Sequence, residues 1–83
     1  MPYIKGKDRI KFEAALEAMP HIKTAGELNY LLTMIAHLYI AQNKESYQAY
    51  NDIMGALEGC KLELYRREIA SYEEIKIIHN GDV

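Results

Sequence analysis

The sequence predicts a small all-α protein of three helices, with a long third helix and short extended tails at both ends. Apolar residues recur at helical spacing in three successive segments, and residues that start or stop helices separate these segments. A chain of 83 residues predicts one domain, residues 1–83, with a thin core. Because 49% of the residues are apolar in so short a chain, we predict a homo-oligomer in which other subunits supply further stability.

The first helix is predicted from about Arg9 to Met19. Asp8 is its candidate N-cap, because an aspartate side chain can accept a hydrogen bond from a free amide of the first turn. One apolar face, spaced i, i+3, i+4, i+7, consists of Phe12, Ala15, Leu16 and Met19. Pro20 is expected to end the helix, since proline lacks an amide and clashes with the preceding turn. The segment Met1–Lys7, with its proline and glycine, is predicted to be an extended tail.

A capping box precedes the second helix, predicted from about Ala25 to Gln42. The Thr24 hydroxyl can accept from the Glu27 amide, and the Glu27 carboxylate can reach back. This helix is apolar nearly all round, which is typical of a buried helix. Its polar residues form one seam, Asn29, Thr33 and His37. Two other helices cannot cover such a helix in a short chain, so we expect part of it to pack against another subunit.

The stretch Ser46–Glu74 is predicted to form one long third helix, with Ser46 as its cap. Counted through Ile69, it measures roughly 36 Å at 1.5 Å per residue. Ala70–Ser71 is a candidate bend. The weak alternation of Ile75–Ile78 favours an extended tail, and Asn80–Gly81 indicates a turn.

Composition argues against several classes of protein. A net charge of −2 disfavours a general nucleic-acid coat. Cys60 is the single cysteine, which excludes a disulfide within one chain and fits a reducing compartment. The three histidines lie too far apart for a zinc site, and no cofactor motif is present. The longest apolar stretch, Tyr30–Ala41, is shorter than the ~20 residues of a membrane span. With no signal-peptide pattern at the start, a cytoplasmic location is expected.

No enzyme signature occurs in the chain, and a non-enzymatic binding protein is therefore predicted. The candidate ligand-binding residues lie on the third helix: Asn51, Gly55, Lys61, Tyr65, Arg66 and Arg67. Arginine presents a planar fork of donors that matches phosphate, and a neighbouring tyrosine can stack on a planar ligand. A glycine inside a helix costs about 0.8–1.0 kcal/mol relative to alanine. Gly55 and Gly59 therefore indicate that another helix or a ligand approaches the backbone of the third helix closely.

The same cations also have a simpler interpretation as surface ion pairs. Glu63 and Arg67 are spaced i, i+4, and Glu58 and Lys61 are spaced i, i+3, so each pair can form on an exposed helix. Arg66 has only Glu63 at i−3, for which Arg67 competes. Arg66 is thus the least explained residue of the stretch.

Several segments of the chain together resemble a known family. These segments are MPYIK at the start, GELNY at Gly26–Tyr30, NDIMGALE at Asn51–Glu58, KLELYRR at Lys61–Arg67, Tyr72-Glu73 and the terminal NGDV. With them the chain resembles a family of small uncharacterised proteins from bacteriophages and environmental bacterial genomes, over nearly its whole length. It departs from the usual pattern at Ser71, where a proline is typical. The resemblance implies a protein made in the host cytoplasm, but it carries no activity.

Three functions are compatible with these residues. The first is a phage-type oligomer that sequesters an anionic, nucleotide-like signal and so counters host defence. The alternative is a helical protein-interaction module that binds and inhibits a host protein. The third is nucleic-acid binding through the surface of Lys61–Arg67, which the acidic net charge disfavours.

Overall fold

The structure is a computed structural model that describes residues 4–83. Its elements are α1 (Gly6–Glu17), α2 (Ala25–Asn43), α3 (Tyr47–Leu64), a π-helical turn (Tyr65–Ile69) and α4 (Ala70–Asn80). The last three follow one another directly and form one helix of 34 residues, residues 47–80, called the long helix below. No strand occurs among residues 4–83, so the prediction of three helices with a long third one is confirmed.

Contacts between Cα atoms divide the chain into two compact units, Met1–Ile35 and Ala36–Val83. The boundary falls inside α2. The single domain predicted from the sequence stays a prediction.

In the first unit, α1 begins three residues before the predicted start. Lys5 occupies the N-cap without a side-chain bond, and the predicted cap, Asp8, lies in the first turn. There its carboxylate still interacts favourably with the positive end of the helix dipole. The helix ends at Glu17, ahead of Pro20 as predicted, because residues preceding a proline avoid the helical conformation. The predicted extended conformation of residues 1–3 lies outside the described residues.

The capping box at the start of α2 is confirmed, with one difference. The Glu27 amide donates to Thr24 Oγ1 at 3.0 Å. The Glu27 carboxylate reaches back one residue further than expected, and Oε1 accepts from the amide of Lys23 at 2.7 Å. Two amides that the helix leaves without a backbone partner are thereby satisfied.

The described residues cover α2 only in part. None of its residues is fully buried. Leu31 and Ile40 are half-buried, whereas its other large apolar side chains are 38% to 63% exposed: Leu28, Tyr30, Leu32, Met34, Ile35, Leu38 and Tyr39. His37, on the polar seam, is exposed as well. The packing of this helix against another subunit stays a prediction.

In the second unit, a short link turns the chain from α2 into α3. Lys44 has a φ of 70°, in the left-handed region that ends helices but strains a residue with a side chain. Two residues later, Ser46 Oγ accepts a hydrogen bond from the Ala49 amide at 3.0 Å. Ser46 is therefore the N-cap that the sequence predicts.

Ala49 and Ile53 are the buried apolar side chains of the described chain, and they lie one turn apart on α3. Tyr39 ties the end of α2 to the same helix, since its hydroxyl donates to Asp52 Oδ2 at 3.1 Å. This hydrogen bond is the main cause that raises the pKa of Tyr39 above its ordinary value of 10.0. Gln48 holds the other oxygen of the Asp52 carboxylate at 2.8 Å.

The predicted extended tail at Ile75–Ile78 is wrong, because these residues belong to α4. Four residues are too few to separate alternation from helical spacing, and the isoleucines at 75 and 78 also fit i, i+3. The turn signal is confirmed at the end of the helix. Gly81 has a φ of 84°, and its amide donates to Ile77 O at 2.8 Å.

Candidate functional site

The long helix changes its hydrogen bonding at Tyr65–Ile69, where a π-helical turn separates α3 from α4. At its end the Ala70 amide donates to Tyr65 O, five residues back instead of four. Such turns are rare and occur frequently at functional sites. Three predicted site residues, at positions 65 to 67, lie in this turn.

Ser71 supports the π turn from the following helix. Its hydroxyl donates to the carbonyl oxygen of Arg67 at 3.2 Å. A π turn disturbs the ladder of backbone bonds, and a side-chain hydroxyl can satisfy a carbonyl within it. The irregularity thus ends next to Ala70–Ser71, the candidate bend of the sequence.

Arg66 and Arg67 contact the same oxygen atom, Oε1 of Glu63. The Arg66 Nη2 atom lies 2.9 Å from it, and Arg67 donates to it through Nε. The sequence predicts that the two arginines compete for Glu63, and in the structure they share its carboxylate oxygen. Their side chains remain 64% and 56% exposed, whereas that of Glu63 is 25% exposed. The carboxylate therefore holds two guanidinium groups side by side and facing solvent.

Lys61 forms the other predicted ion pair, with its Nζ atom 3.7 Å from Glu58 Oε1. Both side chains are more than half exposed, so the pair contributes little to stability. Lys61 lies about one and a half turns before the arginines. Residues 58–67 carry these three cations and two carboxylates, Glu58 and Glu63, a formal charge of +1 that Glu68, the next residue, brings to zero.

Asn51 and Gly55 lie apart from the cations. They precede Arg66 by 15 and 11 residues, or about 22 and 16 Å along a helix. Both are exposed, and a Cβ atom on Gly55 would meet no described atom within 4 Å. No helix crossing inside the described chain therefore explains Gly55. The structure brings Arg66 and Arg67 together on Glu63, whereas Lys61 pairs separately with Glu58 and Tyr65 is their neighbour in the π turn. Asn51 and Gly55 lie farther back along the helix.

An open groove of about 480 Å³ lies beside the π turn, and the sequence did not predict it. It is lined by Glu68, Ile69, Ser71, Tyr72 and Ile75. Its apolar walls are about half exposed. Lys76 places its ammonium 5.3 Å from the centre of the Tyr72 ring, within range of a cation–π contact. The arrangement offers an apolar floor with charges of both signs at its rim.

The family of the chain follows from comparison with known proteins. Residues 1–83 match the domain of unknown function DUF6899. The chain belongs to this family. Comparison with curated proteins and with solved structures gave no match.

A second concave surface of this DUF6899 member lies between the end of α1 and the start of α2. This cleft of about 360 Å³ is lined by Met19, Pro20, His21, Ile22, Gly26, Glu27, Tyr30 and Leu31. Pro20 and Glu27, which the sequence marks as a helix stop and part of a capping box, both line this cleft, but neither pattern predicts a cavity. Its walls are mainly apolar, which suits a small apolar group better than an anion.

Residues 4–83 contain neither a metal-binding cluster nor a membrane-spanning helix. No three His, Cys, Asp or Glu side chains in this range are placed to hold a metal ion. Within the same residues, no helix has the length and apolar content that crossing a membrane requires. Cys60 carries a free, exposed thiol.

Proposed function

We propose that this protein is a non-enzymatic, homo-oligomeric binding protein that captures an anionic, nucleotide-like molecule on its long helix. One observation carries the proposal: Lys61, Arg66 and Arg67 lie exposed within two turns of one another, beside the half-exposed ring of Tyr65. Phosphate recognition uses such donors, and a planar base stacks on such a ring.

The geometry of the arginines suits a phosphate group. A guanidinium carries five N–H donors, and the Arg66 contact at 2.9 Å uses one nitrogen. Glu63 fixes the orientation of Arg66 and Arg67, which lowers the entropy lost when they bind a ligand.

The spread of the predicted residues favours a site shared between subunits. A molecule that touches both Gly55 and Arg66 of one chain would have to span about 16 Å of helix. A second chain can instead bring its own Asn51 or Gly55 near the cations. The bare helix surface at Gly55 leaves room for such an approach.

The biological setting of the proposal comes from the resemblance to bacteriophage proteins. A phage protein of this kind acts inside the infected cell, where nucleotide signals activate host defences. Sequestering such a signal requires affinity but no catalysis. This setting matches a chain without an enzyme signature.

Calorimetric titration of the purified protein with cyclic dinucleotides and with ADP-ribose tests the proposal. For Arg66→Ala we expect about 10- to 100-fold weaker binding, because one charge-assisted contact is lost. Stability should change by less than about 1 kcal/mol, since the ion pair is exposed. Arg9→Ala, which removes the same charge from α1, is the control and should bind normally. Absence of binding at tens of micromolar, with the oligomer intact, would refute the proposal.

A protein-interaction module is the second candidate, and the groove beside the π turn favours it. Ile69, Tyr72 and Ile75 present apolar surface with a charged rim, as protein interfaces do. Under this reading, Tyr72→Ala abolishes the capture of a stoichiometric host protein by the tagged chain. Leu62→Ala, an exposed apolar residue outside the groove, should leave capture unchanged. Capture that survives Tyr72→Ala argues against this candidate.

A further inference from the structure

The apolar side chains of α3 follow a seven-residue repeat. Positions a are Tyr47, Met54 and Lys61, and positions d are Tyr50, Leu57 and Leu64. This spacing places all six on one seam of the helix, as in helices that pair side by side. The seam ends where α3 ends, because the π turn changes the number of residues per turn.

Every side chain of the seam is at least 40% exposed in the structure. Its five apolar residues are 40% to 82% exposed, and Lys61 is exposed as well. The two buried residues of α3, Ala49 and Ile53, lie outside positions a and d. The helix thus buries one side within the chain and presents a second apolar side to solvent.

We propose that this seam pairs with the same seam of a second copy, in antiparallel orientation. Lys61 decides the orientation. Parallel helices place position a against position a, so two Lys61 side chains would meet in the apolar seam. Antiparallel helices place a against d, which separates the two lysines and also opposes the helix dipoles favourably.

The seam fixes the register of the antiparallel pair. Tyr47 faces Leu64 of the second copy, Met54 faces its Leu57, and Lys61 faces its Tyr50. The Tyr50 hydroxyl donates to the Glu45 carboxylate. Lys61 therefore meets an aromatic ring and a negative charge on the second copy, a complementary partner for an ammonium group.

The area of the seam matches the requirement of a stable pair. At roughly 200 Å² for a fully exposed large side chain, the six residues expose on the order of 600–700 Å². A standard specific interface buries about 800 Å² on each partner. Asn51, Glu58 and Cys60, which flank the seam, supply the remainder. The pairing shares Lys61 and Asn51 with the proposed ligand site, but no layer of it uses Arg66 or Arg67, so the two proposals are tested by different variants.

Sedimentation equilibrium of the full chain tests the pairing. For Met54→Lys we expect the dissociation constant of the dimer to rise about 100-fold or more, since each dimer loses two apolar side chains. The matched control is Leu62→Lys, which adds the same charge at an exposed position off the seam and should leave the dimer intact. A wild-type chain that stays monomeric, or a dimer that Met54→Lys does not weaken, would overturn the proposal.

Disulfide trapping tests the orientation without relying on destabilisation. In a Cys60→Ser background, Tyr47→Cys and Leu64→Cys chains are mixed and oxidised. The antiparallel register predicts a covalent pair between the two different variants. It predicts none for Tyr47→Cys alone, because the two copies of residue 47 then lie about 26 Å apart along the helices. Self-linking of Tyr47→Cys, or no linking in the mixture, would exclude the register.

Discussion

Ile53 provides the most direct test of where the chain keeps its core. This side chain is 8% exposed, and Ala49 is the other buried residue among those described. Replacing it by alanine removes three carbon atoms from the largest buried side chain among the described residues. Such changes cost about 2–5 kcal/mol in protein cores, and we expect about 2–3 here because exposed neighbours can partly collapse into the space.

That loss is large for an 83-residue chain. Natural domains hold about 0.05–0.15 kcal/mol of stability per residue, which gives about 4–12 kcal/mol here. The melting temperature of Ile53→Ala should fall by about 10–20 °C, at about 4–8 °C for each kcal/mol. Urea unfolding followed by circular dichroism measures the free energy directly. Protein concentration must be matched, because self-association adds to apparent stability.

Ile78→Ala is the control for this experiment. It makes the same chemical change at a side chain that is 78% exposed, so its effect should stay within about 0.5 kcal/mol. Equal effects of Ile53→Ala and Ile78→Ala would refute the assignment of the core to this face of α3.

Three further outcomes follow from the second unit. Ser46→Ala should cost about 1 kcal/mol in urea unfolding, because the Ala49 amide loses its acceptor. Since the pKa of Tyr39 is raised above 10.0, its contribution is present below pH 10 and is lost as pH rises through the raised value. An ultraviolet absorbance titration of Asp52→Asn should show that pKa returning towards 10.0. Gly55→Ala should raise helix stability by about 0.8–1.0 kcal/mol and, by calorimetry, weaken ligand binding.

The features that the sequence predicts correctly are those set within a few residues. Thr24 and Glu27 form their box, Ser46 caps its helix and Gly81 ends the last one, because each contact joins residues at most four apart. Short-range chemistry of this kind needs no knowledge of packing. The ion pairs of Lys61 and of Arg67 belong to the same class.

The burial of a helix and its backbone hydrogen-bonding pattern are harder to predict from the sequence, because they depend on distant residues. The all-round apolar pattern of α2 predicts that its faces are covered but not by what, and the described residues cover it only in part, at Leu31, Ala36 and Ile40. No residue pattern distinguishes the π turn from an α-helix, so the sequence places Arg66 and Arg67 in a regular helix. The groove at Ile69 and Tyr72 depends on that turn and was missed with it.

Departures from local rules gather on the long helix and at its entry. Lys44 holds a conformation that favours glycine. Gly55 weakens a helix, although no described neighbour lies within 4 Å of where its Cβ atom would be. Tyr65–Ile69 departs from regular α-helical bonding. Each costs free energy in an isolated chain, and such departures concentrate where a protein meets something else. The exposed seam of α3 and the cations of the π turn lie on this same helix. We therefore expect the interactions that offset these free-energy costs to come from outside the single chain, from a second copy and from a bound anion.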